Sequence, residues 1–277
     1  MMFELPECVV LAKQMNNVMQ GKVVRNGRLG NSPHKFVWYN RSPEEFSQLT
    51  QGKTVGAAWS KGRWLFVPFD PGYVLVLGEF GGKAFYHQPG AKLPKKFHLN
   101  ITFTDDFFFT VTTQMWGAME FYESGKECER EYVKNMRPTP IEPTFTFEYF
   151  SNLIDTVATG KKRSVKGLLT QDQLIPGLGN SIAQDIMYCA HLNPKQNIAD
   201  LSINQRRMLY DSICNMVQNI IKQGGRYDEY DLFGNRGDYV RLMDKNAVGQ
   251  PCAECGSSVQ KMSYLGGACY FCPTCQR

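Results

Sequence analysis

The sequence predicts an α+β protein: a leading helix and a β-sandwich, then a helical domain, then a C-terminal β-hairpin zinc finger. Three observations carry this reading. Apolar residues recur at helical spacing near the start and again beyond residue 144, short β-branched and aromatic segments fill the region between, and two cysteine pairs end the chain.

The first helix is expected over Leu5 to Gln20, where Val9, Ala12, Met15 and Met19 share a face and Gly21 ends the run. The period then changes. Val23-Val24, Phe36 to Tyr39, Trp64 to Val67, Tyr73 to Leu77, Leu99 to Phe103 and Phe107 to Val111 are short and separated by Gly, Pro and Asp turns, which predicts a sandwich. Three prolines within 136–143 favour an extended connector, and a domain boundary belongs there.

Beyond it Phe147, Phe150, Ile154 and Val157 restore the helical period, and the basic Lys161-Lys162-Arg163 reads as a solvated run. Ile175-Pro-Gly-Leu-Gly-Asn180 joins the next two helices, with Asn180 expected to cap a helix reaching His191. Amides at such a glycine-rich helix start favour a phosphate. A further helix opens at Ser202, with Gln205 completing a capping box, and its Ile203, Leu209, Ile213, Val217 and Ile220 stripe is expected to be core. The resulting division is 1–135 for the sandwich with its helix, 136–143 for the linker, 144–225 for the helical domain and 226–277 for the zinc-finger region.

Cys252-x-x-Cys255 and Cys272-x-x-Cys275 have the spacing of a closed tetrahedral site holding one structural Zn²⁺. Gly266-Gly267 lies between them, in a hairpin pattern. Five other cysteines, Cys8, Cys128, Cys189, Cys214 and Cys269, fit a reducing compartment, so the cytoplasm is expected. No apolar run approaches the ~20 residues of a membrane span. A net charge of +5 does not by itself identify a nucleic-acid partner.

Glu4-Leu5-Pro6-Glu7, the β-rich first half, Gln173 to Asn180, Asp231 to Tyr239 leading into Val248 to Cys252, and the four-cysteine finger occur in one order along the whole chain. Together they resemble the formamidopyrimidine-DNA glycosylase and endonuclease VIII family. The resemblance implies a helix-two-turn-helix form for the helical domain, a cleft facing the sandwich, and a hairpin that grips duplex DNA. It also implies repair, with lesion-bearing or abasic duplex as partner for a monomer in the cytoplasm, associated with the nucleoid.

On the same resemblance Asn180 and Gly179 hold a phosphate, Trp116 fills the gap left by an extruded base, Arg63 contacts the backbone and Glu4 acts as general acid or base. Four positions depart from the family pattern, three of them in its catalytic and clamping residues. Phe3 stands where the family has its nucleophilic proline, Arg63 where it has a catalytic lysine, and Gly267 where it has a phosphate-clamping arginine. Glu79 stands where the family has a methionine wedge. A guanidinium is a poor nucleophile. Two function classes follow: a binder of damaged duplex without Schiff-base chemistry, or a glycosylase with abasic-site lyase activity using the amine of Met1 or Lys61 instead. Structured RNA or another protein is a third possible partner.

Overall fold

The computed structural model describes residues 2–30, 36–114, 116–160 and 162–277. Two compact units emerge from the contacts: residues 1–136 with 223–238, and residues 137–222 with 239–277.

The first unit opens with α1 (Leu5–Val18), followed by β1 (Val24–Leu29), β2 (Val37–Trp38), α2 (Pro43–Thr50), β3 (Thr54–Val55), β4 (Trp59–Lys61), β5 (Trp64–Asp70), β6 (Tyr73–Gly78), β7 (Gly82–His87), β8 (Leu99–Phe103), β9 (Phe108–Thr113), β10 (Gly117–Glu123) and the short α3 (Glu131–Lys134). One sheet has the order β1-β8-β9-β7; the other runs β2-β10-β6-β5-β3, with β4 also on β5. Leu65, Val67 and Phe69 of β5 meet Ile101 of β8 and Phe109 of β9 in one core, together with Leu11 and Met15 of α1. Trp64 and Phe66 point to the opposite face, where Val133 of α3 covers them. Both faces of β5 are therefore buried, which explains its unbroken apolar run.

Several boundaries differ from the sequence reading. The first helix stops at Val18, and Leu11, rather than the half-buried Val9, completes its core face. The helix α2 was not anticipated, although Ser42 and Glu45 make a reciprocal capping box. Segment 223–238 joins the sandwich unit by its contacts, since Leu232 enters the sandwich core and its amide donates to Gln14 at 2.9 Å.

The second unit contains α4 (Phe147–Ala158), α5 (Val165–Thr170), α6 (Asn180–Cys189), α7 (Ile203–Lys222) and the hairpin β11 (Gln260–Tyr264) and β12 (Gly267–Phe271). Phe150 and Ile154 of α4, Ile182 and Ile186 of α6, and Leu209, Ile213, Val217 and Ile220 of α7 are buried. Ile203 is 61% exposed because it lies in the first turn of α7, ahead of that stripe. The N-cap of α6 is Gly179, making Asn180 its first helical residue, and the helix ends at Cys189 with His191 in a left-handed conformation. Among the described residues no helix is long and apolar enough to cross a membrane.

Candidate functional site

In the first unit the start of α1 is a buried ionic cluster. Glu4 is the N-cap residue, and its amide donates to Glu7 Oε2 at 2.9 Å. Fully buried Arg226, delivered by the left-handed Gly224-Gly225 pair, donates through Nε to Glu7 Oε1 at 2.9 Å and through Nη2 to Glu7 Oε2 at 2.8 Å. Its Nη1 lies 3.6 Å from Glu4, its Nη2 lies 3.8 Å from Glu229, and Nη2 also donates to the Met2 carbonyl at 3.1 Å. Burial disfavours the guanidinium charge, but Glu7 and then Glu4 outweigh it, so its pKa is raised. Glu229 is pushed up to about 7 by burial, against the pull of Arg226 and with Glu7 and Asp228 adding to the rise.

Phe3 is buried edge-on against Phe80 with ring centroids 4.9 Å apart, and its amide donates to the Phe80 carbonyl. Arg63 lies in the two-residue turn between β4 and β5, where Gly62 at φ +59 supplies the positive dihedral of a tight hairpin. Its Nη1 pairs with Glu79 at 3.1 Å and donates to Met2 Sδ at 3.3 Å. Met2 thus borders both the Arg63 and the Arg226 groups. Lys61 is half-buried at the end of β4. Met1, the alternative amine, lies outside the described residues.

Trp116 is 40% exposed, so it is not a core tryptophan. Its ring lies parallel to Trp38 at 6.2 Å and is tilted over Phe36 at 5.0 Å, both of them also exposed. Phe36 and Trp38 carry no sequence signal for this surface; they reach it because Val37 and Trp38 of β2 pair with Gly117 and Ala118 of β10, directly after Trp116.

In the second unit the 175–180 turn meets the hairpin. Asn180 Nδ2 donates to the Ala268 carbonyl at 3.3 Å, and Gln184 Nε2 reaches the same oxygen at 3.2 Å. Gln184 also accepts the Tyr270 amide at 3.1 Å. Buried Lys166 of α5 donates to the Tyr264 carbonyl at 2.7 Å and, more weakly, to Ala268 at 3.4 Å. Gly267 packs beside Asn180: a Cβ there would lie 3.6 Å from its Oδ1, in ordinary van der Waals contact. Lys166 and Gln184 escaped the sequence reading; a lysine inside the Val165 to Leu169 apolar run was the available signal.

The four cysteine sulfurs of the finger converge within 4.8 Å of one another. Cys252 and Cys275 are 3.8 Å apart and Cys255 and Cys272 are 3.5 Å apart, close to the ~3.8 Å that tetrahedral Zn–S bonds of ~2.3 Å impose. The Cys275 amide points at Cys272 Sγ at 3.5 Å, and Tyr188 Oη lies 3.2 Å from Cys252 Sγ. Hydrogen bonding to Cys255 and then burial push the Cys275 thiol up, whereas hydrogen bonds from Ser257 pull Cys255 down to about 6. The donor set fits a metal ion. Asp185 of α6 anchors the chain entering the finger: it accepts the Leu242 and Met243 amides at 3.0 and 2.7 Å and the Tyr239 hydroxyl at 2.8 Å.

Sandwich, four-helix unit and four-cysteine hairpin together define a class of protein. Residues 2–117 match the formamidopyrimidine-DNA glycosylase N-terminal domain and residues 136–229 match the formamidopyrimidine-DNA glycosylase H2TH domain. The chain belongs to the formamidopyrimidine-DNA glycosylase family. It is 23% identical to a formamidopyrimidine-DNA glycosylase of Bacillus cereus over 99% of this chain and 98% of that one, and 26% identical to one of Lactobacillus delbrueckii over 99% of each. Its fold is that of Lactococcus lactis Fpg solved in complex with abasic-site DNA, with a TM-score of 0.85 at 22% identity over 99% of each chain. Lactococcus lactis Fpg solved with DNA containing Fapy-dG gives the same TM-score of 0.85, over 99% of this chain and 100% of that one.

Proposed function

We propose that the protein recognises duplex DNA carrying a lesion or an abasic site, within base-excision repair, and that it does so without Schiff-base chemistry. The observation that carries this reading is Phe3. An aromatic residue, buried against Phe80 and bonded through its amide to the Phe80 carbonyl, occupies the place of the family's nucleophilic proline. Arg63 supports it, because a guanidinium paired with Glu79 does not supply the lysine's proton transfer. Glu4 faces Arg226 across 3.6 Å inside a buried cluster, an environment suited to an anchored anion.

Recognition is assigned to phosphate contacts at the Gly179–Asn180 helix start, with Arg63 as a further backbone contact and Trp116 as the stacking element. The solved relatives with abasic-site and Fapy-dG DNA are consistent with that partner. One structural zinc ion held by Cys252, Cys255, Cys272 and Cys275 stabilises the finger.

A fluorescence-anisotropy titration on intact duplex, abasic duplex and structured RNA at rising salt tests this. The expected result is tightest binding to the abasic duplex, with a steep salt dependence. Equal affinity for intact and abasic duplex overturns lesion recognition, and preference for RNA overturns the DNA assignment.

A further inference from the structure

The loop of the β11–β12 hairpin consists of Leu265 and Gly266, since Tyr264 pairs directly with Gly267. Their φ values are +51 and +74, the left-handed pair that a two-residue type I′ turn demands. Glycine, asparagine and aspartate adopt this conformation readily; a leucine there is a steric outlier. The side chain gives the fold nothing evident in return, since Leu265 is 40% exposed at the tip. The buried residue of the hairpin is Cys269, and the Lys166 and Gln184 anchors bind backbone atoms of Tyr264, Ala268 and Tyr270. A partly exposed apolar side chain on a strained backbone is a feature that accompanies ligand contact.

We propose that Leu265 is a wedge that inserts against a base step of duplex DNA, next to the lesion; the inference rests on the DNA reading above. The surroundings select this occupant. Leu265 shares one open concavity with Lys261, Ser263 and Tyr264, and the Lys195 ammonium lies 5.6 Å from the Tyr264 ring centre. An apolar tip flanked by exposed cations complements a partner whose outside is anionic and whose interior is an apolar stack. Leucine belongs to the short apolar residues that unstack base steps in this way. A protein partner would call for a contiguous apolar patch of a few hundred Å², and the tip offers a single side chain.

The test uses the zinc-loaded protein and duplexes carrying 2-aminopurine beside an abasic site. Wild type should bind and brighten the probe. Leu265→Asn, which suits the turn, should keep or raise the melting temperature, lose affinity by about tenfold, ~1.4 kcal/mol, and leave the probe dark. Leu265→Met, still apolar, should retain most of the affinity and brightening. Equal affinity and brightening for wild type and Leu265→Asn overturns the wedge while leaving DNA binding intact, as does wild-type binding with a dark probe. No binding of any duplex by the wild type overturns the DNA reading and the wedge with it.

Discussion

Arg63 and Glu79 are joined twice: Arg63 Nη1 stands 3.1 Å from Glu79 Oε2, and the Glu79 amide donates to the Arg63 carbonyl at 3.3 Å. Two departures from the family pattern thus form one unit, in which a carboxylate that duplex DNA would repel is neutralised by the guanidinium beside it. The side chains are only 13% and 28% exposed, so the cost of desolvating both charges offsets much of their attraction and the pair's net contribution to stability is small.

Its effect on DNA affinity should be larger. Glu79→Gln removes the competing anion and leaves Arg63 available to a phosphate. Binding to abasic duplex should tighten, and the slope of log K against log salt should steepen by about one. Anisotropy titrations at several salt concentrations measure both, and an unchanged slope would place Arg63 away from the DNA.

Arg226 is the ionic centre of the first unit. Arg226→Ala strands Glu4 and Glu7 as buried charges without their partner and should cost ~3–5 kcal/mol in urea unfolding. Arg226→Met should also destabilise, since it removes the charge while keeping most of the volume. A loss below about 1 kcal/mol for Arg226→Ala, the range of exposed pairs, would contradict the buried geometry.

Glu229 makes stability depend on pH. Its folded pKa, about 7, is above the ordinary 4.5, so the folded state holds a proton that the unfolded state has released. Its contribution is fully present below pH 4.5 and is lost as pH rises through about 7. Glu229→Gln should flatten this part of the stability profile and stabilise the protein above neutrality. Parallel wild-type and mutant profiles between pH 5 and 8 would show that Glu229 does not titrate there.

Asn180 and Gln184 share the Ala268 carbonyl, yet they should separate in mutants. Asn180→Ala leaves Gln184 and Lys166 holding the hairpin, so DNA affinity should fall with the melting temperature nearly unchanged. Gln184→Ala also loses the Tyr270 amide contact and should lower the melting temperature. If both mutants bind as wild type does, the phosphate site lies elsewhere.

The finger should depend on its metal. Cys272→Ser, or chelation of the wild type, should release zinc and weaken DNA binding together. Bound zinc measured by elemental analysis decides it; full zinc occupancy in Cys272→Ser would contradict a four-thiolate site.

Much of the architecture is legible in the sequence because its signals are local. The cysteine spacing, the Ser202–Gln205 box and the short β-branched and aromatic segment Leu99 to Phe103 each act within a few residues, and each appears in the structure. What escapes is long-range. Arg226 meets Glu7 across 219 residues, and no periodicity announces a buried guanidinium. Gln184 looks like an ordinary polar helix residue until the Ala268 carbonyl is laid against it. The capping role that the sequence suggests for Asn180 falls to Gly179, whose extended backbone makes it the N-cap and frees the Asn180 side chain to reach the hairpin.

The central claim, lesion recognition without an attacking amine, is tested most directly by borohydride trapping on abasic duplex, with a binding titration on the same duplex to prove engagement. The account predicts tight binding and no adduct that survives denaturation. A covalent adduct would contradict it, and peptide mapping would then name the amine, with Lys61 the first residue to inspect.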